Sequence, residues 1–345
     1  MTDMDYFNLP DESGSDSPGA GKLKLNKVMS EKEAVSRYLK DGDSFSVGGF
    51  LLNRESDCVF REIARQGQKN LKYIEESSTF SIDILIGTGA IDRFDQAYIA
   101  HRQVGKMKGL PCLDRCHRLG DPRPVQMGGF LQTPDYQGDQ EPLQLVDWTN
   151  FMVSLRFVAG AMNVPFMPCR SGLGTDIPKY NKEIKLIDDP FENKPVALIP
   201  AYKPDVAFIS VHKADRKGNG QVFGYKGTDE WKVRAAKHVV LFTEELVTTD
   251  EIRENPSNTI VPSYCTDAVV HQPFSSHPYA MFGTYSADSF AGLERVMSHQ
   301  TKDGFKAWMD KWVYGCEDHF EYCDKIGWEK LEELGRGEKK SNIIP

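Results

Sequence analysis

Apolar and polar positions change period repeatedly along the chain, and each change predicts an element. In Ser30-Glu-Lys-Glu-Ala-Val-Ser-Arg-Tyr-Leu-Lys40 the residues Ala34, Val35, Tyr38 and Leu39 fall on one helical face. Ser30 followed by Glu33 is a capping box, so a helix starts there, and Asp41-Gly42-Asp43 ends it. Ser44-Phe45-Ser46-Val47 then reads as a short strand running into Gly48-Gly49-Phe50. A helix is predicted over 57–65, stopped by Gly67, and a strand over 71–74. The run Ile82-Asp-Ile-Leu-Ile86, before Gly87-Thr-Gly89, continues the alternation as a strand, and another is predicted over 97–100.

Residues 102–146 are rich in Gly, Pro and Gln and show no period, which predicts a long irregular segment; such segments inside a domain usually carry function. Helical spacing returns over 148–162. Pro165-Phe-Met-Pro168 leads into a Gly-rich loop, Arg170-Ser-Gly-Leu-Gly-Thr175. The stretches 195–200 and 206–211 are continuously apolar, as strands buried on both faces are. A helix over 231–236 precedes a strand over 238–243, a further strand is predicted over 268–270, and 302–335 reads as helical, with Phe305, Trp308, Trp312 and Val313 on one side. Strands alternating with helices predict an α/β fold: an open, mostly parallel sheet flanked by helices. No internal repeat appears, and no linker divides 26–335. Residues 1–25, rich in Asp, Ser, Gly and Pro, read as a disordered acidic tail, and 336–345 as a polar C-terminal tail.

Composition narrows the classes. The 345 residues include 50 Asp and Glu against 42 Lys and Arg, and 40% are hydrophobic. That is too apolar for a wholly disordered chain and too acidic for nonspecific nucleic-acid binding. No run reaches the roughly 18 apolar residues of a membrane helix. Met1-Thr2-Asp3-Met4-Asp5 does not begin a secretory signal, so the expected location is the cytoplasm. The seven cysteines are odd in number and scattered, so disulfides are not expected. Cys112-Leu-Asp-Arg-Cys116-His117 offers three metal ligands, but a zinc site wants a second pair elsewhere, and the expectation is reduced thiols in a loop with no metal.

Ligands of open α/β sheets sit beyond the carboxyl ends of the strands. Gly48-Gly49, Gly87-Thr-Gly89 and Gly172-Leu-Gly174 lie at such ends. Their amides could approach a phosphate or an oxyanion, or each could be a tight structural turn. There is no GxGxxG, GxxxxGK[ST] or GxSxG, so neither a nicotinamide cofactor, a nucleoside triphosphate nor an α/β-hydrolase is indicated. His277, before Pro278, is expected to be structural. Glu244-Glu245 is either a polar lining of a site or, as preferred, the first turn of a following helix. Asp147 is a plausible N-cap for the 148–162 helix. Arg54 and Arg102 could meet anionic substrate groups, against the bland reading of surface arginines.

Taken in order, the motifs resemble one family. Lys27-Val-Met-Ser-Glu-Lys-Glu-Ala with Asp41-Gly-Asp-Ser-Phe-Ser-Val-Gly-Gly-Phe50 is similar to the start of class I CoA-transferase α subunits, and Asn53-Arg54 to the glutaconate CoA-transferase branch of them. Arg65-Gln-Gly67, Ile84-Leu-Ile-Gly-Thr-Gly89, Val164-Pro-Phe-Met-Pro168, Asp188-Asp-Pro-Phe191, Asp205-Val-Ala-Phe-Ile209, Ala235-Ala-Lys-His-Val-Val240, Thr243-Glu-Glu245, Asp267-Ala-Val-Val270 and His277-Pro278 follow in the same order. The resemblance covers 26–335 and departs in the acidic tail and in a longer 105–146 segment.

The resemblance implies the class I CoA-transferase fold and an α subunit that works with a β subunit in an α2β2 or larger heteromer. It implies CoA exchange between a thioester and a free carboxylate, with CoA as substrate and no bound cofactor. A glutamate on the β side attacks the thioester and passes through a glutamyl-CoA, splitting one exchange into reversible acyl transfers. Glu-x-Gly occurs here as Glu333-Leu-Gly335 in the polar C-terminal region and as Glu12-Ser-Gly14 in the acidic tail, both out of context, so the resemblance gives the nucleophile to the partner. By the same resemblance Gly48, Gly49 and Phe50 form the oxyanion environment. Ser77, Ser78, His101 and Arg102 line the acyl pocket, Arg102 holding a distal carboxylate. A related frame serves a steroid-ring-opening hydrolase of CoA thioesters; on that reading Asp147 is the acidic residue involved. A third reading is a non-catalytic CoA-ester-binding subunit.

Overall fold

The computed structural model describes residues 26–99, 101–103, 106–108 and 110–341, excluding the side chains of 101–103, 106–108 and 337–341. The acidic tail 1–25 lies outside the described residues. Eight strands run parallel, in the order Ala268–His271, His238–Val247, Val206–Asp215, Ser44–Val47, Leu71–Glu75, Ile91–Gln96, Leu143–Asp147 and Val125–Met127. Phe130–Leu131 closes one edge as an antiparallel hairpin, while Gly220–Gln221 and Thr259–Val261 add antiparallel pairing beside the far half of Val206–Asp215. The expected open, mostly parallel sheet is therefore present.

Alternation across Val206–Asp215 shows why its apolar run is continuous. Val206 and Phe208 enter the core under helices Glu31–Tyr38 and Asp57–Gln66, whereas Ala207, Ile209 and Val211 face the opposite cluster around Val233 and Val261. Both faces are covered, so the run is apolar except at Ser210, whose buried hydroxyl is paired with those of Ser56 and Ser275. The C-terminal helices cover the first of these cores with Phe305, Trp308, Trp312 and Val313, all buried. They are three helices rather than one: Lys302–Trp312, His319–Ile326 and Trp328–Ser341. The last runs through position 336, so the boundary set at 335 falls inside it. No helix among the described residues is long and apolar enough to cross a membrane.

Several elements differ from expectation. Residues 82–86 belong to a helix, Ile82–Gly87, whose first five residues are all buried. A short run buried on every side has no period, so helix and strand look alike in it. The neighbouring strand is Ile91–Gln96; of the predicted 97–100, residues 97–99 follow its end and residue 100 lies outside the described residues. Asp92, Arg93 and Asp95 disguise the strand, and Asp95 is buried with Arg93 and Arg156 paired to it. The segment 102–146 holds a helix, Pro111–Leu119, with Pro at its first turn and Gly120 as a left-handed C-cap, and the parallel strands Val125–Met127 and Leu143–Asp147. Pro195–Pro200 lies in a separate antiparallel sheet between Lys185–Asp188 and Phe166–Cys169, with Pro195 exposed.

Candidate active site

Strand Ser44–Val47 lies between Val206–Asp215 and Leu71–Glu75, so Gly48-Gly49-Phe50 emerges beside Glu76-Ser77-Ser78. The glycine-rich turn is turned inward. Gly48 N–H donates to Phe208 O at 2.8 Å, Gly49 N–H to Asp229 Oδ1 at 3.0 Å, and Phe50 N–H to Asn53 O at 2.9 Å. All three amides are committed within the chain, which corrects their expected role as oxyanion donors. Glycine is required at 49 for another reason: its φ is 95°, and a Cβ there would stand 2.5 Å from Asn53 O and from the Arg54 carbonyl carbon. The turn closes on its own backbone, and Phe50 leans edge-on against Tyr225, ring centroids 5.5 Å apart.

Arg54 is likewise corrected. It is fully buried and meets no solvent-borne anion: Nη1 donates to Asp229 Oδ2 at 2.7 Å and to Ser210 O at 3.1 Å, and Nη2 to Tyr225 O at 3.0 Å. Asp229 therefore holds the Gly49 amide with one oxygen and Arg54 with the other. Three residues on, along the helix Asp229–Ala235, Lys232 is also fully buried. Its Nζ donates to Val47 O at 2.9 Å and Glu75 Oε1 at 2.6 Å, and stands 3.3 Å from Glu76 Oε2. Ser46 and Thr228 hydroxyls donate to Glu75 and Glu76 at 3.2 and 2.5 Å. Burial pushes the Glu75 carboxyl well up, and the adjacent Glu76 adds to it. Burial opposes ionisation of Glu76 too, but Lys232 and hydrogen bonds from Glu75 and Thr228 hold it below its ordinary range. The dyad thus shares one proton beside a lysine whose pKa its carboxyls raise against the cost of burial.

Ser77 and Ser78 are buried within this chain. Ser78 N–H donates to Tyr98 O at 3.0 Å, and Asn150 Nδ2 donates to Ser77 Oγ at 3.3 Å. The loops after Leu71–Glu75 and Ile91–Gln96 therefore meet the N-terminus of helix Asn150–Ala161, where Asn150 and Phe151 are exposed. That helix is capped by Thr149, whose Oγ1 accepts from Met152 N–H at 3.1 Å. Asp147 is not the cap. It ends strand Leu143–Asp147, receives a hydrogen bond from Gln96, and has its pKa raised by burial. His101 and Arg102 lie in a hairpin strand, His101–Gln103, paired with Lys106–Lys108; their side chains lie outside the described residues.

Glu244 is not in a helical turn, because its strand continues to Val247. Its carboxyl accepts from Phe274 N–H at 2.6 Å, Ser275 N–H at 3.2 Å and the Tyr285 hydroxyl at 3.0 Å, and burial pushes it up to about 7. It pins the segment whose Ala280 O receives the Arg54 N–H at 2.8 Å. His277 is buried between Tyr322 and Asp288, in the structural role expected of it. The cysteine cluster is helical, not a loop: Cys112 and Cys116 are buried while His117 is exposed. Cys112 instead meets Asp83 and His299. Asp83 accepts the Cys112 and Leu113 amides at 2.9 and 3.2 Å and faces His299 Nδ1 at 2.8 Å, as a helix cap does; burial keeps the Cys112 thiol protonated.

Sequence reasoning missed Glu75, Glu76, Asp229, Lys232 and Asn150. A paired carboxylate directly after a strand was the available signal at Glu75-Glu76, the same pattern noted at Glu244-Glu245.

The Coenzyme A transferase family model matches residues 134–272. A protein of Archaeoglobus fulgidus is 39% identical over 315 residues, covering 91% of this chain, which spans 65% of that relative's length. The A-type subunit of the 3-oxoadipate CoA-transferase of Pseudomonas knackmussii is 30% identical over 88% of this chain and 99% of its own length. The A-type subunit of the glutaconate CoA-transferase of Acidaminococcus fermentans is 30% identical over 90% of this chain and 95% of its own length. The crystal structure of glutaconate coenzyme A-transferase from the same organism superposes with a TM-score of 0.78 at 26% identity, covering 89% of this chain and 95% of that one. Sharing sequence with these two A-type subunits over nearly their whole length, and fold with the solved glutaconate enzyme, the chain belongs to the class I coenzyme A transferase family, in its α-subunit branch.

Proposed function

We propose that this chain is the α subunit of a two-subunit CoA-transferase that moves CoA between an acyl-CoA thioester and a free carboxylic acid. The observation that carries the reading is the match to two named CoA-transferase subunits of the A type over 99% and 95% of their lengths. The chemistry of the strand ends supports it. Covalent exchange needs an accessible carboxylate nucleophile. Glu75 and Glu76 are buried and held by Lys232, Ser46 and Thr228, and Glu55 is buried under the Thr79 hydroxyl. The nucleophilic glutamate therefore comes from a β partner. Residues 26–335 supply a stiff wall for it in an α2β2 or larger assembly, with CoA as substrate and no separate cofactor, in the cytoplasm.

On this reading Gly48-Gly49-Phe50 contributes shape rather than donors. One outward-facing polar group at this end is the Asn150 carboxamide, which orients the acyl carbonyl with Ser77 behind it. Ser77 and Ser78 set the size of the acyl pocket, and Arg102 on its hairpin meets a distal carboxylate. The test is to purify the chain with its partner, add acyl-CoA and treat with borohydride or hydroxylamine. A trapped glutamyl-CoA adduct on the partner, with transfer of CoA to free carboxylate, supports the proposal. Ring opening or hydration without an adduct would replace it with the hydrolase reading, in which Asp147 takes part. An adduct on this chain would overturn the assignment of the nucleophile.

A further inference from the structure

Strand Lys185–Asp188 is an open edge of the small antiparallel sheet, since within that sheet it pairs only with Pro195–Pro200. All four of its residues are exposed, with Leu186 at 54% and Ile187 at 45% on opposite faces. The ladder fixes which backbone groups are spare. Asp189 N–H donates to Lys194 O at 2.9 Å, so by alternation Lys185 and Ile187 bond inward to Pro195–Pro200, and Leu186 and Asp188 point their N–H and C=O groups outward. The sheet's other edge, Phe166–Cys169, is blunted. Ala201 N–H donates to Pro165 O at 3.0 Å, which turns position 168 outward, and Pro168 has no N–H to offer. Lys185–Asp188 carries no proline and two exposed apolar side chains, so it is the edge suited to pairing with another chain.

The order of residues along the edge selects a second copy of this chain. Outward-facing residues oppose one another in an antiparallel pair, so an edge paired with itself has its two-fold axis at a single residue. An axis at Asp188 sets that carboxylate against its own copy, and an axis at Leu186 sets Ile187 against Lys185. An axis at Ile187 sets Lys185 against Asp189 and Ile187 against Ile187, in the pairs whose side chains approach most closely. Leu186 then exchanges its backbone bonds with Asp188 of the second copy. Lys185 is available for the charge pair: its ammonium donates to Lys182 O at 3.0 Å and has no acid partner among the described residues. The Glu192 and Phe191 amides hold the Asp189 carboxyl below its ordinary range, so it stays charged.

We infer that two copies of this chain join their small sheets edge to edge along Lys185–Asp188, antiparallel, about a two-fold axis at Ile187. Sedimentation velocity of the full chain over a concentration series tests it, and the unaltered chain should form a reversible dimer. Ile187→Asp and Ile187→Lys each set like charges against each other at the axis, and each should weaken dimerisation by about tenfold or more. Ile187 is half exposed and lies outside the core, so both variants keep the fold. Mixing the two should restore association, because each mixed pair sets Asp against Lys. A monomeric unaltered chain overturns the inference. So does a dimer that neither substitution weakens, and so does a mixture that associates no better than the separate variants.

Discussion

Lys232 Nζ stands 2.6 Å from Glu75 Oε1, with the lysine fully buried and the glutamate nearly so. The same nitrogen holds the Val47 carbonyl, the last residue of the strand that delivers Gly48-Gly49-Phe50. One buried cation thus links two adjacent strand ends to the helix that carries Asp229, and Asp229 in turn holds the Gly49 amide.

Removing that cation strands its partners. In Lys232→Met the Glu75–Glu76 dyad keeps its burial and loses its counter-charge, so stability should fall by about 3–5 kcal/mol, the range for one-sided removal of a buried pair. Urea unfolding measures it. Adding Glu76→Gln should restore part of the loss, because the remaining dyad can then be neutral. A single-variant loss below about 1 kcal/mol would mean that Lys232 is not the counter-ion.

Gly49→Ala tests whether the turn serves the chain or the substrate. A side chain at φ 95°, with Cβ 2.5 Å from backbone atoms of Asn53 and Arg54, forces the 49–54 turn open. The strained conformation alone costs about 1–3 kcal/mol. The variant should therefore be destabilised in urea even with neither partner nor substrate present. Full stability with lost turnover would instead return the glycine to direct substrate contact.

The fold was legible where period and punctuation agreed, as at the capping box of Ser30 and Glu33, found as a 3.2 Å bond from Glu33 N–H to Ser30 Oγ. It was illegible where a charge is buried by a distant partner. Asp95 sits within a strand because Arg156, 61 residues on, neutralises it. The position of the Gly-Gly-Phe turn could be read, but the direction of its amides could not. That depends on Asp229, 180 residues away. Arg54 looked like a surface arginine for the same reason: every group that buries it, from Ser210 to Asp229, is remote in sequence.

Asn150 is exposed, and its carboxamide donates to Ser77 Oγ at 3.3 Å without closing any helix cap, since Thr149 does that. Asn150→Ala should therefore leave urea stability within about 0.5 kcal/mol of the unaltered chain. In the assembled enzyme it should lower kcat by about 10²-fold, the scale for losing one donor to a developing oxyanion. Steady-state kinetics of the complex decide it. Unchanged kcat with raised KM would make Asn150 a ground-state contact only.

The buried carboxyls predict an alkaline loss of stability. Burial and the nearby Asp57 raise Glu55 from 4.5 to about 8, against a lowering hydrogen bond from Thr79. Glu31 and Glu244 rise to about 7. Between each unfolded and folded value the native chain holds the extra proton, so stability falls as pH climbs through that window. Buried histidines act the other way. Burial lowers His212 from 6.5 to about 4 and His319 to about 3, so their contribution rises with pH only up to about 6.5. Above pH 7 the histidines are spent and Glu31 and Glu244 lose the half of their protons they still hold, while Glu55 is the largest single contributor among these groups. From pH 7 to 8 it should remove about 1 kcal/mol, somewhat under the 1.4 kcal/mol per unit of a fully retained proton. Glu55→Gln fixes the neutral form and should remove that share of the decline, leaving the part that Glu31, Glu244 and Glu75 contribute. Urea midpoints of both proteins at pH 7 and pH 8 measure the difference. Parallel declines in the two would show that Glu55 is already ionised in the native chain at neutral pH.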